Sequence, residues 1–496
     1  MKIQIVPYTQ IKDQTFMEGE ILITNDLFVD VEHRLGNSTF IFFNCRFKKL
    51  TVRNTSNVDF KDVMLSFSYC QIQEIEISEI KSNNIGVHFH SCILEGSIKS
   101  ENLQMIGLNN CFTPSLFLMY QNSIYISYTE ENIFVRHWVN GLKGTDIGSL
   151  NELLGINQNL NINYSKNIHL KFNHKRTERK GIYRDTDSPI PEGKVRYYLT
   201  EEQKKILAIN VFVDFSDQVD QSLKIEDFIW NSLSLTGSAN GKIAIENTSI
   251  NNLYIRNFSS ETDTLLYNIY PISEDSKLEV HKSNMDNTWF NNVNFNGYNS
   301  LSFYRTRFAK AAFTSCNFPK DNISFDKFKA LENVHAPDKK SQNYYKDQYE
   351  TFLQLRKSLE NSGNYYEAQK VGAISKESLR KISNLSNWDK FILWIYAKSN
   401  NHGLSIKRPL VGLLGFSIIF YVLYLLSIGR IFNSNAFDWT LVGHYFSFID
   451  LTHRKDFLVN KEHYTLWTLT IDFLNKLIIG FFLFQFVSAF RKYVRK

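Results

Sequence analysis

The sequence predicts a mainly β chain in three parts: a long stack of short strands, a helical connector, and an apolar end that crosses a membrane. Three observations carry this. Apolar residues recur at every fifth position from 291 to 330, the period shifts to that of helices beyond 338, and two long runs near the end are almost free of charge.

At 496 residues the chain is too long for one ordinary core. Mean hydropathy is slightly negative, so most of it is expected in water. Aromatics make up 15%, with 40 Phe, while only 8 Pro leave little room for long linkers. Charge is uneven. Up to residue 337 there are 34 Lys and Arg against 38 Asp and Glu, and from 338 on there are 22 against 12. The basic excess adjoins the apolar runs and suits an anionic membrane surface.

Written in fives from Asn291 the chain reads NNVNF, NGYNS, LSFYR, TRFAK, AAFTS, CNFPK, DNISF, DKFKA. Val293, Tyr298, Phe303, Phe308, Phe313, Phe318, Ile323 and Phe328 hold the third position throughout. A period of five fits neither a helix at 3.6 nor a flat strand at 2. Two residues earlier the side chain is often small or an amide, as at Asn291, Asn296, Thr306, Ala311 and Cys316. Upstream, Cys45, Cys70 and Cys92 also precede an apolar residue by two, and with Cys111 they lie 25, 22 and 19 residues apart. They read as small inward core residues; the odd count and the lack of Cys-x-x-Cys spacing argue against disulfides and zinc. Short β-rich runs such as "KLTVRN", "IQEIEIS" and "NIHLKF" carry the pattern loosely through residues 30 to 330.

The fives resemble the pentapeptide-repeat family. That resemblance implies a right-handed parallel β-helix with four five-residue faces per coil and the third residue in the core, irregular at the N-terminal end, over residues 1–337. The stretch "HKRTERKGIYRDTDSPIPEGKVR", 174 to 196, reads as a projecting loop whose mixed charges argue against a nucleic-acid site.

A connector is expected at 338–408. "YYKDQYETFLQLRKSLENSGN" sets Tyr345, Tyr349, Phe352, Leu355 and Leu359 on one helical stripe that stops at Ser362-Gly363, and "YYEAQKVGAISKESLRKI" supplies a second helix. In "NWDKFILWIYAKSNNHGLSIKRPL", Asn387 is placed to cap a helix over 388–398. Its Trp388, Trp394 and Tyr396 suit headgroup depth, so it is expected to lie on the inner membrane surface.

The membrane part is 409–496. Spans are expected at 409–428, without a charge, and at 473–490, with Lys476 alone able to snorkel from one end. Lys407 and Arg408 before the first, and Arg491, Lys492, Arg495 and Lys496 after the second, put both ends in the cytoplasm by the positive-inside rule. "MKIQIVPYTQIKDQTF" has no signal-like apolar run, which agrees with a cytoplasmic N-terminal domain at the inner membrane. Between the spans, 441–452 is too short to cross and too apolar for an ordinary loop, so it reads as re-entrant.

Span, half-helix, loop, span resembles the two-helix ion-channel domain. Phe446-Ser447-Phe448 and Leu451-Thr452 match its aromatic and Thr positions before the filter, but His453, Arg454, Lys455 and Asp456 replace the glycines, so K⁺ selectivity is not expected. As a whole the order resembles bacterial pentapeptide-repeat proteins ending in an ion-channel-like domain. The resemblance implies either an ion-permeable, regulated effector or a non-conducting scaffold whose β-helix holds a protein partner. His444, Phe446, Ser447, Thr452, His453, Arg454 and Gly480 are the candidate pore or re-entrant residues. The lipid bilayer is the expected partner, and a homo-oligomer, tetrameric if a channel, is required because two spans cannot enclose a pore. No phosphate loop, H-E-x-x-H or G-x-S-x-G occurs, so neither an enzyme nor a cofactor is expected.

Overall fold

The structure, a computed structural model, describes residues 10–12, 14–23, 38–54, 63–80, 85–96, 98–129, 131–135, 157–173, 194–198, 208–319, 342–430, 439–454, 458 and 465–490. Two units separate, Met1–Leu331 and Glu332–Lys496.

The first unit is mainly β. Among the described residues, 23 strands join in one sheet, which is not closed on itself, and its pairings are parallel. Between residues 38 and 163 the strands fall into two parallel ladders. Ser38–Phe43, Val63–Ser68, Ile85–His90, Met105–Asn109 and Ser123–Thr129 pair in succession. So do Arg46–Asn54, Gln71–Ile80, Ile98–Glu101, Ser115–Met119 and Gln158–Asn163. Because pairing is parallel and in register, like residues stack on like. Phe42 lies on Phe67 with ring centroids 4.8 Å apart and Phe67 on Phe89 at 5.1 Å, all three buried. Each such ring removed from water contributes about 1.5–3 kcal/mol.

A single left-handed residue turns the chain between strands. Asn44, Tyr69, Ser91 and Asn110 have φ of 58, 55, 50 and 53°, and the next residue in each case is Cys45, Cys70, Cys92 or Cys111. The four thiols are buried and free. Cys70 Sγ lies 3.5 Å from Phe42 O and Cys92 Sγ 3.4 Å from Phe67 O, so each thiol reaches the carbonyl end of a neighbouring strand. Farther along, Gln121 takes the same place after Tyr120 and donates to Ser100 O at 2.9 Å and Met119 O at 2.8 Å.

In the fives, Val293, Tyr298, Phe303, Phe308, Phe313 and Phe318 are all buried. The partner offset differs from four fives, however: Phe290 pairs with Phe313 and Leu278 with Leu301, 23 positions on. Corner residues such as Asn292 and Arg305 and the short turn Phe295–Gly297 take up the excess. Ile323 and Phe328 lie outside the described residues, as does the predicted loop up to 193. Its last residues fall instead in a strand, Lys194–Tyr198, antiparallel to Glu131–Val135.

The second unit is helical: α1 Gln342–Asn361, α2 Tyr365–Lys381, α3 Asn387–Asn400, α4 Lys407–Ser427, α5 Thr440–Ile449 and α6 Leu466–Phe490. Phe352, Leu355 and Leu359 of α1 and Ala368, Val371 and Ile374 of α2 are buried, as the stripe requires, while Tyr345 and Tyr349 stay half-buried. Ser386, not Asn387, caps α3: its Oγ accepts from Asp389 N at 3.1 Å and donates to Asp389 Oδ2 at 2.6 Å. The hydroxyl satisfies one of the first-turn N–H groups, and the Asp389 carboxylate holds that hydroxyl in place. α6 begins at Leu466, seven residues before the expected span, because Thr465 caps it by accepting from Thr468 N at 3.2 Å. α4 and α6, of 21 and 25 residues, are long and apolar enough to cross a membrane.

Candidate functional site

Several polar residues of α4 and α6 gather around α5 and the turn after it. α5 packs Phe448, fully buried, against Tyr421, Tyr424 and Leu425 of α4. Tyr421 OH donates to Leu441 O at 2.6 Å, and the Ser417 and Tyr445 hydroxyls are 2.8 Å apart. These bonds occupy hydroxyls that would otherwise be stranded in an apolar environment. From the other side, α6 sends Asn475 Nδ2 to Phe448 O at 3.1 Å. The short helix is therefore held by both long ones.

α5 ends because Asp450 adopts extended backbone and its carboxylate accepts from Thr452 N at 2.9 Å and Thr452 Oγ1 at 2.8 Å. An Asx turn of this kind replaces the next helical turn. It delivers His453 to α6. His453 Nε2 lies 2.7 Å from Asp472 Oδ1, and its Nδ1 donates to Asp450 O. Lys476 Nζ, one turn along, lies 3.3 Å from Asp472 Oδ2 and donates to His453 O at 3.3 Å. Side-chain exposure is 3% for His453 and 8% for Asp472, so this is a shielded cluster in which one carboxylate sits between two nitrogen donors. Breaking such a cluster from one side leaves the other charge uncompensated.

The expected residues divide accordingly. Phe446, Ser447, Thr452 and Arg454 are exposed, His444 is half-buried, and only His453 among them joins the buried cluster. Arg454 makes no ion pair with another described residue, and Lys455 and Asp456 lie outside the described residues. Gly480 has open space where a Cβ would stand, with nothing within 4 Å. Gly412 is the glycine that packs: a Cβ there would come within 2.4 Å of the Phe482 ring.

Helical spacing alone sets Lys476 one turn from Asp472, but the contact of His453 with Asp472, 19 residues away across a turn, leaves no such trace in the sequence. Sequence reasoning also missed Asn475 and the ties that join α3 to α4 and α6. Asn400 of α3 donates to Gln485 Oε1, the Tyr396 and Ser488 hydroxyls are 3.0 Å apart, and Arg408 donates to Ala397 O at 3.2 Å. A usable signal existed: Thr468, Asp472, Asn475 and Gln485 recur at helical spacing in a largely apolar run, marking the face turned toward protein. The set includes no group of three or more His, Cys, Asp or Glu side chains fit for a metal among the described residues.

No protein-family model, no curated protein and no solved structure matches the chain.

Proposed function

We propose that the chain is an inner-membrane protein whose N-terminal unit is a right-handed parallel β-helix of pentapeptide-repeat type and whose C-terminal hairpin forms, as a homotetramer, a regulated ion-permeable opening. The carrying observation is the ten-residue α5, too short to cross, bonded to both long helices through Tyr421, Tyr445 and Asn475. A half-helix held between two spans is how backbone is tolerated at membrane depth, and in a symmetric assembly it would bring the following turn toward the axis. The division of strands between two parallel ladders supports the β-helix, since a strand returning to a parallel neighbour does so by a right-handed crossover. Both chain ends would face the cytoplasm, and the β-helix would take the partner or ligand that regulates opening.

One observation favours a second reading, a non-conducting scaffold that holds a β-helix and its protein partner at the membrane. His453 is committed to Asp472, so this turn is sealed onto α6. Ion flux in liposomes separates the two, comparing the wild type with Thr452→Trp and Gly480→Pro. The channel reading expects flux in the wild type, its loss in Thr452→Trp, and altered gating in Gly480→Pro. Reconstituted protein that passes no ion under any condition leaves the scaffold. Cross-linking in the membrane to a tetramer, and outside-only labelling of a cysteine placed at Asn435, test assembly and orientation.

A further inference from the structure

Helix α3 is built inside out. Its packed side carries Tyr396, Ala397 and Asn400, the residues bonded to Ser488, Arg408 and Gln485. The opposite arc carries Trp388, Phe391 and Ile392, exposed at 76, 47 and 59%, with Ile395 half-buried beside them. These four recur at helical spacing, so they form one continuous apolar face. A helix in water would be expected to bury them and expose the asparagine.

Two further facts say what covers that face. α3 is fastened to the ends of the two spanning helices: Arg408, at the start of α4, holds the last carbonyls of α3, and Gln485 and Ser488 lie in the last turns of α6. The face therefore continues the apolar surface of the hairpin at the edge of the bilayer. Lys398, beside Phe391 by helical spacing, and Lys407 and Arg408 at the start of α4 are exposed, and Lys390 is half-exposed, whereas the acid of the helix, Asp389, is used in the Ser386 cap. Cations beside indole rings at a membrane boundary favour anionic headgroups.

We infer that α3 binds the anionic phospholipid surface at the inner end of the hairpin and, through Tyr396–Ser488 and Asn400–Gln485, makes the position of the end of α6 depend on lipid charge. This rests on the membrane assignment above and names a regulator for it. The two can be tested apart in the full-length protein reconstituted into vesicles. A thiol-reactive, environment-sensitive dye is placed at Ile392→Cys on α3 or at Ile419→Cys on α4, the untouched protein serving as background because four of its thiols are buried. Quenching by brominated phosphatidylcholine is read with and without phosphatidylglycerol. The expected result is quenching at 419 in both compositions, and quenching at 392 that rises at least twofold with phosphatidylglycerol and loses that rise in Lys390→Glu/Lys398→Glu. A dye at 392 that stays accessible to aqueous iodide while 419 is quenched overturns the inference and spares the membrane assignment. Quenching at 392 indifferent to lipid charge overturns the anionic specificity, and absence of quenching at both positions overturns the inference together with the assignment.

Discussion

The two units sort their residues in opposite directions. In the β unit the inward rows are Phe, Leu, Ile, Val and Cys, and the outward rows hold Asn, Ser, Lys and Glu. In the hairpin Ser417, Thr468, Asp472, Asn475 and Gln485 are buried, while Val411, Ile419, Phe473, Phe484 and Val487 are more than half exposed. The hairpin pattern is the one expected if, as proposed, hydrocarbon rather than water surrounds these helices. Water drives apolar groups together, whereas hydrocarbon gives no such push and leaves hydrogen bonds and close packing to hold helices to each other. The inversion is therefore a statement about surroundings, and it can be broken by matched substitutions.

The largest contrast is expected from phenylalanine. Phe67→Ala removes a fully buried ring stacked between Phe42 and Phe89, and should cost about 3–5 kcal/mol. Phe484→Ala removes a ring 62% exposed on α6, and should change stability in nanodiscs by less than about 1 kcal/mol. Thermal unfolding read separately for strand and helix signals checks this. Equal losses would mean that the outer face of α6 is covered by protein.

Next in size is the polar side of the comparison. Asp472→Ala leaves His453 and Lys476 without their shared carboxylate and should cost about 3 kcal/mol of hairpin stability. Because the cluster is shielded, the loss should change little with added salt. Protease nicking of the turn after α5 gives a second readout: cleavage should rise in Asp472→Ala and not in Arg454→Ala, whose side chain is exposed.

What could be read in advance follows from how local the signals are. The buried row from Val293 to Phe318 and the inward cysteines repeat at short intervals, so spacing alone exposed them. The corners that make the rows possible were silent. Tyr69, Tyr164, Lys282 and Arg305 hold φ between 48 and 55° without being glycine, so nothing in their identity announces a turn. The strand stacking supplies the force, and each rung fixes the corner of the next. In the hairpin the two long apolar helices were legible from composition, but His453 meeting Asp472 depends on an Asx turn, which leaves no periodic trace. The cap of α3 moved by one residue for a related reason, since the Ser386 hydroxyl is held in place by the Asp389 carboxylate.

Glycine sharpens the comparison within the hairpin itself. Gly412→Val would drive a side chain into the Phe482 ring, at 2.4, 2.7 and 3.1 Å from the Cβ position, and should cost about 2 kcal/mol by overpacking. Gly480→Val meets open space and should stay within about 0.5 kcal/mol. Helix–helix cross-linking between α4 and α6 should fall in the first variant alone. A fall in the second would assign Gly480 to contact with another copy of the chain.

The smallest effect tests the outward, water-facing side of the β unit. Glu226 receives Lys224 at 2.7 Å, His169 at 2.9 Å and Lys171 at 3.4 Å, tying the strand Ser222–Glu226 to Asn167–Asn173. Partial burial opposes its charge, but the hydrogen bonds from Lys224 and His169 and the nearby Lys171 prevail and hold the carboxyl at about 2, below its ordinary 4.5. A carboxyl depressed in the folded state contributes stability that is fully present above 4.5 and is lost as pH falls through about 2. Lys224 is half exposed, so solvent screening limits the contribution to roughly 0–1 kcal/mol. Glu226→Gln should therefore lower the strand-unfolding midpoint slightly at neutral pH. The deficit should shrink below pH 4.5 and also in about 1 M salt, where screening acts within about 3 Å. Asp472→Ala, measured beside it, should keep more of its deficit in salt, because Asp472 and His453 are nearly buried and only Lys476, a quarter exposed, meets solvent. A Glu226→Gln deficit that ignores both acid and salt would show that this face of the β unit is shielded like the hairpin seam, and that the two units differ less in their surroundings than their residue patterns indicate.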